Sequence, residues 1–390
     1  MLTPSDVSLL RRYRQGRVLK LLRDLELDAL LLFSIENIRY YTNFRPLISV
    51  WLRDSYACVV TSDGRSVLLA NYGDLNRIIA EGSWADKVTG YPPNGRPKLF
   101  SKLLKTLNVK GHRVGFDHVG FSFLTALKEE MCDHYEFVDV SKSLDMARSV
   151  KSPTEIKIMK RCGELLGEAT LAATKVAKPG LTEADVSAIG EATFRKLGAE
   201  GVSWSFASFA GKNAAIFARH DSLKVLKDGE FLILGYAGIF EGYNTDITVT
   251  IPLGQCRKKH SEVYTAAYEG FQAALEATRA GRRAKDLRDI ALKVITEHGY
   301  GAYPFSEYQP IFHGIGMNVY EPPQAPAPCS DLPNDMLKVG NTIALETLIL
   351  VKDAPKLGGV RVGQTIVVTE NGYEPITWTW PESHFEMLER

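Results

Sequence analysis

From Ser152 onward the chain runs through the same order of elements twice, two helices and then strands. Ser152-Pro153-Thr154-Glu155 has the form of a capping box with proline at the first helical position, and it opens a helix to about Ala177. Pro179-Gly180 breaks that helix. Thr182 with Asp185 caps the next, which stops at Gly198, and strand-like segments follow to about Leu253. In the second round Ser261 opens a helix that ends at Gly281, and another runs to about His298 and stops at Gly299. Strands then lie at 342–351 and 360–369, the latter closed by Asn371-Gly372. Each round spans roughly 110 residues, which predicts an internal duplication. Two equivalent halves facing each other would enclose a central cleft, with helices outside.

The 390 residues are too many for one ordinary core, and the part before the repeat reads as a separate domain. Leucines at 9, 10, 19, 21, 22 and 25 give residues 6–26 a helical pattern. Asp28–Ser34 reads as a buried strand, and Ser55–Thr61 with Ser66–Asn71 as a hairpin around Ser62-Asp63-Gly64. Lys98–Leu107 and Phe121–Met131 read as helices flanking a strand at Arg113–Asp117. The expected architecture is therefore an α/β domain over 1–150, followed by an α+β domain with a pseudo-twofold repeat over 151–390.

Composition excludes several partner classes. Formal net charge is +1 with no long basic run, and the short Arg257-Lys258-Lys259-His260 reads as a solvated turn before a helix, so no nucleic-acid partner is expected. No apolar stretch has membrane-spanning length, and Met-Leu-Thr-Pro-Ser-Asp lacks a signal-peptide pattern. Five scattered cysteines without a Cys-x-x-Cys motif suit reduced thiols, so a cytoplasmic location is expected.

Four segments carry chemistry: Leu234–Thr248, His313–Pro323, the run around Glu346 and the run Val-Arg-Val-Gly-Gln-Thr around Gly363. Their order and spacing resemble the pita-bread fold of methionine aminopeptidase, aminopeptidase P, prolidase and creatinase. Asn37-Ile38-Arg39-Tyr40-Tyr41-Thr42-Asn43-Phe44 resembles the creatinase/prolidase N-terminal domain. The resemblance implies a hydrolase acting on C–N bonds, commonly a homodimer in which one subunit's N-terminal domain borders the other's active site. Arg45, Trp51 and Arg53 are weak candidates for that role, with solvated loop residues as the default reading.

The resemblance also implies five ligands for two divalent ions. Three of those positions hold Asp246, His313 and Glu346; the other two hold Gly235 and Gly363, which offer no side chain. Paired metals need bridging carboxylates, so a dinuclear centre is not expected. No metal cofactor is expected. The alternative is one divalent ion on Asp246, His313 and Glu346, an acceptable set of one His and two carboxylates.

Creatinase has this fold without the metal set, and the resemblance implies that His220 is the acid/base, a role that suits histidine as a residue type. A surface turn is the competing reading of His220. Glu346 lies inside an apolar run, where an unpaired carboxylate is costly, and Arg361 is its expected partner, in a structural or a substrate-binding pair. Tyr320 stands where the peptidases carry a second substrate histidine. The candidate site is thus His220 and Glu346 as catalytic residues, with Asp246, His313, Tyr320, Arg361, Gly235 and Gly363 binding substrate. The expected function is creatinase-like cleavage of a C–N bond in a small amine, amide or guanidino compound. A mononuclear Xaa-Pro dipeptidase and a non-catalytic binding or scaffold relative are the alternatives. His112, His118, His134, His260, His298 and His384 match no motif and read as surface or packing residues.

Overall fold

The computed structural model describes residues 2–45, 55–131, 134–216, 220–255, 258–301, 312–324, 335–351 and 357–377, with the side chains of 204–206 set aside. The chain divides into two compact units, Met1–Arg148 and Ser149–Arg390.

The first unit runs α1 (Pro4–Asp24), β1 (Ala29–Leu32), α2 (Ile35–Thr42), β2 (Ala57–Thr61), β3 (Ser66–Ala70), α3 (Leu75–Glu81), β4 (Lys87–Gly90), α4 (Arg96–Thr106), β5 (Arg113–Phe116), α5 (Phe121–Glu130), β6 (Glu136–Asp139) and α6 (Ser141–Ser149). Its strands form one six-stranded sheet in the order β4-β3-β2-β1-β5-β6. The β2–β3 hairpin turns at Gly64, whose φ of +92° is the left-handed backbone that glycine adopts without strain. Strands β1, β5 and β6 run parallel, and alternate residues such as Leu31, Val59, Leu69 and Val114 pack with Phe100 and Leu104 of α4. Helices α2, α3 and α6 are too short for periodicity to reveal. α2 is fixed by local capping instead: Ser34 Oγ accepts from Asn37 N at 3.0 Å.

The second unit runs α7 (Pro153–Val176), α8 (Glu183–Lys196), β7 (Gly201–Ala210), β8 (Phe231–Phe240), β9 (Tyr243–Pro252), α9 (Lys258–Ala277), α10 (Ala284–Glu297), β10 (Phe312–Gly314), β11 (Glu321–Gln324), β12 (Thr342–Val351), β13 (Gly358–Val368) and β14 (Tyr373–Pro375). Both expected capping boxes form. Ser152 N donates to Glu155 Oε2 at 2.7 Å, and Thr182 N donates to Asp185 Oδ2 at 2.8 Å. Each cap is worth about 1 kcal/mol. Gly198 and Gly299 follow their helices at φ +95° and +83°. α9 differs from expectation at both ends: it starts at Lys258 rather than Ser261 and stops at Ala277 rather than at Gly281, so Lys258 and Lys259 open the helix, and His260 is buried with Nε2 3.0 Å from the carbonyl oxygen of Gly229.

The strands form a sheet in the order β11-β10-β12-β13-β9-β8-β7, with β14 paired to β13. Its two halves mirror each other, β9-β8-β7 against β13-β12-β10. Each half has its own core. Leu234, Ile247, Val249 and Ile251 pack with Leu165, Leu166 and Val186 of α7 and α8. Ile343, Leu345, Val360, Val362 and Ile366 pack with Val263, Ala267, Leu287 and Ile295 of α9 and α10. Because side chains alternate along a strand, the intervening residues share the opposite face: Asp246, Thr248 and Thr250 on β9, and Arg361, Gly363 and Thr365 on β13.

The halves meet at a narrow seam. Thr248 pairs with Gly363 and Ile247 with Gln364 in the β9–β13 ladder. To either side a threonine hydroxyl stands in for the ladder bonds. Asp246 N donates to Thr365 Oγ1 at 2.8 Å, and that hydroxyl donates to Asp246 O at 2.9 Å. Arg361 N donates to Thr250 Oγ1 at 2.9 Å, and that hydroxyl donates to Arg361 O at 2.7 Å. The pseudo-twofold therefore relates Asp246 to Arg361, Thr250 to Thr365 and Thr248 to Gly363.

Candidate active site

One row of residues crosses four strands. Gly235 on β8 faces Thr248 on β9, Thr248 faces Gly363 on β13, and Gly363 faces Glu346 on β12. Two residues from this row lie Asp246 and Arg361, on the same face. His313 on β10 faces Ala344, two residues before Glu346. The register thus gathers residues from distant parts of the sequence. One ligand atom each from Asp246, His313 and Glu346 lies within 4.8 Å of the others.

Glu346 is 8% exposed, and a buried carboxylate needs partners. Arg361 Nε donates to Glu346 Oε2 at 2.9 Å, and Arg361 Nη2 bonds the same oxygen. Thr248 Oγ1 donates to Glu346 Oε1 at 3.4 Å. The Arg361 guanidinium, itself held in its charged form by Glu346 and Asp246 against the cost of burial, sits squarely in the site.

His313 Nδ1 lies 3.2 Å from the carbonyl oxygen of Gly314. A carbonyl only accepts, so Nδ1 carries the proton and Nε2 presents its lone pair. Burial lowers the imidazole pKa against the opposing pull of Glu346, which keeps the ring neutral near pH 7. Tyr320 lies against this ring with centroids 4.1 Å apart, and burial pushes its phenol up to about 12, so it serves as a hydrogen-bond donor. Asp246 sits within β9. Burial, then the neighbouring Glu346, pushes its carboxyl up to about 8, with Arg361 opposing.

The two glycines differ. Among the described residues a Cβ on Gly235 would meet nothing nearer than Thr248 Oγ1 at 3.7 Å. A Cβ on Gly363 would come 2.7 Å from Glu346 Cγ and 3.1 Å from the Leu345 carbonyl oxygen. Space is open beside Gly235, whereas Glu346 fills it beside Gly363.

His220 is exposed, on the stretch leading to Asp221, and lies outside the Asp246–His313–Glu346 group. Sequence reasoning missed a fully buried carboxylate behind its loop. Glu183 accepts from Ala210 N at 2.8 Å, Asn213 Nδ2 at 2.9 Å, Ser222 N at 3.1 Å and Ser222 Oγ at 2.6 Å. Sequence reasoning also missed the buried ion pair of Lys151 Nζ and Glu321 Oε1 at 2.5 Å, adjacent to Tyr320. Among the other histidines, His298 pairs with Glu269 at 2.7 Å and His118 lies 3.9 Å from Asp145. Arg45 is exposed, and Cys58 and Cys162 are buried free thiols. Trp51, Arg53, His384, Cys132, Cys256 and Cys329 lie outside the described residues.

The donor set can be tested against metal. Two ions held close need bridging carboxylates, and among the described residues the site offers three ligands, one of them already bonded to a guanidinium. They fit one ion: one ligand atom from His313 and one from each carboxylate lie within 4.8 Å of one another, a spacing that small adjustments bring to ligand distances.

The comparisons agree with this architecture. The profile of metallopeptidase family M24 matches residues 157–370, and that of the creatinase/prolidase N-terminal domain matches residues 14–150. A Xaa-Pro dipeptidase of Pyrococcus horikoshii is 28% identical over 355 residues, 90% of this chain and 93% of the relative. One from Pyrococcus furiosus is 30% identical over 278 residues, 71% of this chain and 75% of the relative. Among solved structures, a Xaa-Pro dipeptidase from Bacillus anthracis superposes with a TM-score of 0.82 at 25% identity, covering 95% of this chain and 98% of that one. The fold is the pita-bread fold with a creatinase-type N-terminal domain. The enzyme class read from the sequence, a hydrolase acting on C–N bonds, is that of these relatives. No helix among the described residues is long and apolar enough to cross a membrane. With its profile match covering more than half of the sequence, this chain belongs to metallopeptidase family M24.

Proposed function

We propose that this chain hydrolyses a carbon–nitrogen bond in a small amine, amide or guanidino compound, at a centre that does not depend on a pair of metal ions. The observation that carries the reading is the pairing of Glu346 with Arg361 in the volume beside Gly363. An organic cation there does what a bridged second ion would otherwise do for Glu346, namely neutralise a buried carboxylate. Glu346, the carbonyl oxygen of the protonated Asp246 carboxyl and the lone pair of His313 Nε2 offer acceptors suited to the positive or N–H-rich end of a substrate. In this reading His220 moves the proton between water and the leaving nitrogen, Glu346 orients the water, and Tyr320 donates a hydrogen bond to the substrate. The protein works in the cytoplasm as a homodimer.

A second reading is supported by the convergence of three ligand atoms and by the dipeptidase relatives. Here one divalent ion is held by Asp246, His313 and Glu346, and the substrate is an Xaa-Pro dipeptide. Such an ion supplies Lewis acidity and a more acidic water.

One experiment separates them. Protein purified without chelator is analysed for metal, then assayed on creatine, on small amides and on Xaa-Pro dipeptides, before and after chelator treatment. Turnover of a small nitrogen compound that survives metal removal and is lost in His220→Ala supports the first reading. Stoichiometric metal whose removal abolishes dipeptide cleavage sinks it. Absence of product under every metal condition would leave a non-catalytic binding protein.

A further inference from the structure

The two glycines invite the same explanation, room made for a ligand, yet their surroundings are unlike. Gly363 is buried and Glu346 occupies the volume its side chain would take. Gly235 is half-exposed within a strand that is otherwise largely buried, and among the described residues only Thr248 lies near the space above it. Thr248 uses its one hydroxyl proton toward Glu346 Oε1, so the lone pairs of Oγ1 remain as acceptors. Asp246 lies two residues along the same strand face, and His313 Nε2 offers a further lone pair. The Arg361 donors Nε and Nη2 are engaged on Glu346 Oε2. Among the described residues this space therefore meets acceptor lone pairs on Thr248 Oγ1, on the Glu346 carboxylate and on the carbonyl oxygen of the Asp246 carboxyl.

We propose that Gly235 is the size-selecting position of the cleft, admitting a compact cationic group with N–H donors onto Thr248, Asp246 and Glu346. This rests on the proposed hydrolase site and deepens it by separating the glycine that shapes the ligand from the one that packs against protein. A hydroxyl and two carboxyls on one side match a primary ammonium or a guanidinium, whose donors fan out from one small centre. A side chain at position 235 would stand where that group goes while touching little of the protein, so substitution there reads out on binding and not on folding.

The test is calorimetric titration of chelator-treated full-length protein with methylguanidinium chloride and, as a cation without N–H donors, tetramethylammonium chloride. Wild type is expected to bind methylguanidinium at least about tenfold more tightly than tetramethylammonium. Gly235→Val is expected to lose about tenfold in methylguanidinium affinity, Gly235→Ala a smaller factor, and Thr248→Val about threefold, with melting temperatures of both Gly235 variants within about 3 °C of wild type. Should Gly235→Val fail to fold, Gly235→Ala carries the comparison. Equal affinities of wild type and the Gly235 variants, equal affinities for the two cations, or no binding of methylguanidinium by wild type would each overturn the proposal. Because binding is read without turnover, a protein that binds as expected and hydrolyses nothing supports the subsite and removes the hydrolase reading instead.

Discussion

Arg361 donates from Nε to Glu346 Oε2 at 2.9 Å across the β12–β13 ladder, one diagonal step from the register pair Glu346–Gly363. Removing one partner of a buried pair leaves the other charge without compensation, at a typical cost of about 3–5 kcal/mol. Arg361→Met is therefore expected to destabilise the fold by about 3 kcal/mol, and Arg361→Met with Glu346→Gln to recover a large part of it. Urea unfolding of the two single variants and the double variant gives the comparison. A loss in Arg361→Met that the second substitution does not reduce would show that the pair is not what holds these side chains.

Gly363 tests packing in the same corner. An added methyl at 2.7 Å from Glu346 Cγ and 3.1 Å from the Leu345 carbonyl forces either the Glu346 side chain or the strand to move. Gly363→Ala should lose about 1–3 kcal/mol, the usual cost of overpacking a filled site. A Gly363→Ala variant as stable as wild type in chemical denaturation would contradict the tight approach.

The raised carboxyl of Asp246 makes a signed statement about pH. Its folded pKa, about 8, lies above the ordinary value of 3.8, so the native state binds the extra proton between those limits. Stability contributed by this group is complete below about pH 4 and declines as pH rises toward 8. Asp246→Asn removes that decline and should stabilise the protein at pH 8–9 by on the order of 2 kcal/mol relative to wild type. Melting curves at pH 5 and pH 8.5 measure it. A variant whose stability tracks wild type at both pH values would argue against a protonated Asp246.

Glu183 ties the loop after β7 to the start of α8 through Ala210, Asn213 and Ser222. A buried carboxylate accepting several hydrogen bonds leaves those donors unsatisfied when it is shortened. Glu183→Ala should cost about 2–4 kcal/mol and speed amide exchange at Ala210 and Ser222, while Glu183→Gln keeps part of the protection. Hydrogen exchange read by mass spectrometry distinguishes this local loosening from a uniform change.

Much of this was legible in the sequence because it rests on local chemistry. The helix starts at Ser152 and Thr182 follow from capping residues, and the alternation Asp246, Thr248, Thr250 against Ile247, Val249, Ile251 places the acid on the non-core face. The Arg361–Glu346 pair was foreseeable because a carboxylate in an apolar run demands a cation. What stayed hidden depends on register between distant strands. Nothing in the neighbours of Gly235 and Gly363 tells that one faces open space and the other a glutamate side chain. That contrast appears only when β12 pairs with β13. Thr365 and Thr250 likewise look like ordinary strand residues until the seam shows them bridging backbone groups of the opposite half. Glu183 could have been suspected, since a glutamate at the first helical position faces a loop rich in donors, but its five bonds span residues 210–222.

The seam has one further meaning. In a duplicated fold, positions related by the pseudo-twofold begin as copies of one residue, and near the axis a copy meets its own image. Two acids there repel each other, and two bases do the same. Asp246 and Arg361 occupy such related positions with opposite signs, and Thr248 and Gly363 with opposite sizes. The repeat has kept its backbone and inverted its chemistry along the midline. A cleft built this way has a charged direction, so a ligand lying across it meets different ends on its two sides and can be held in only one sense.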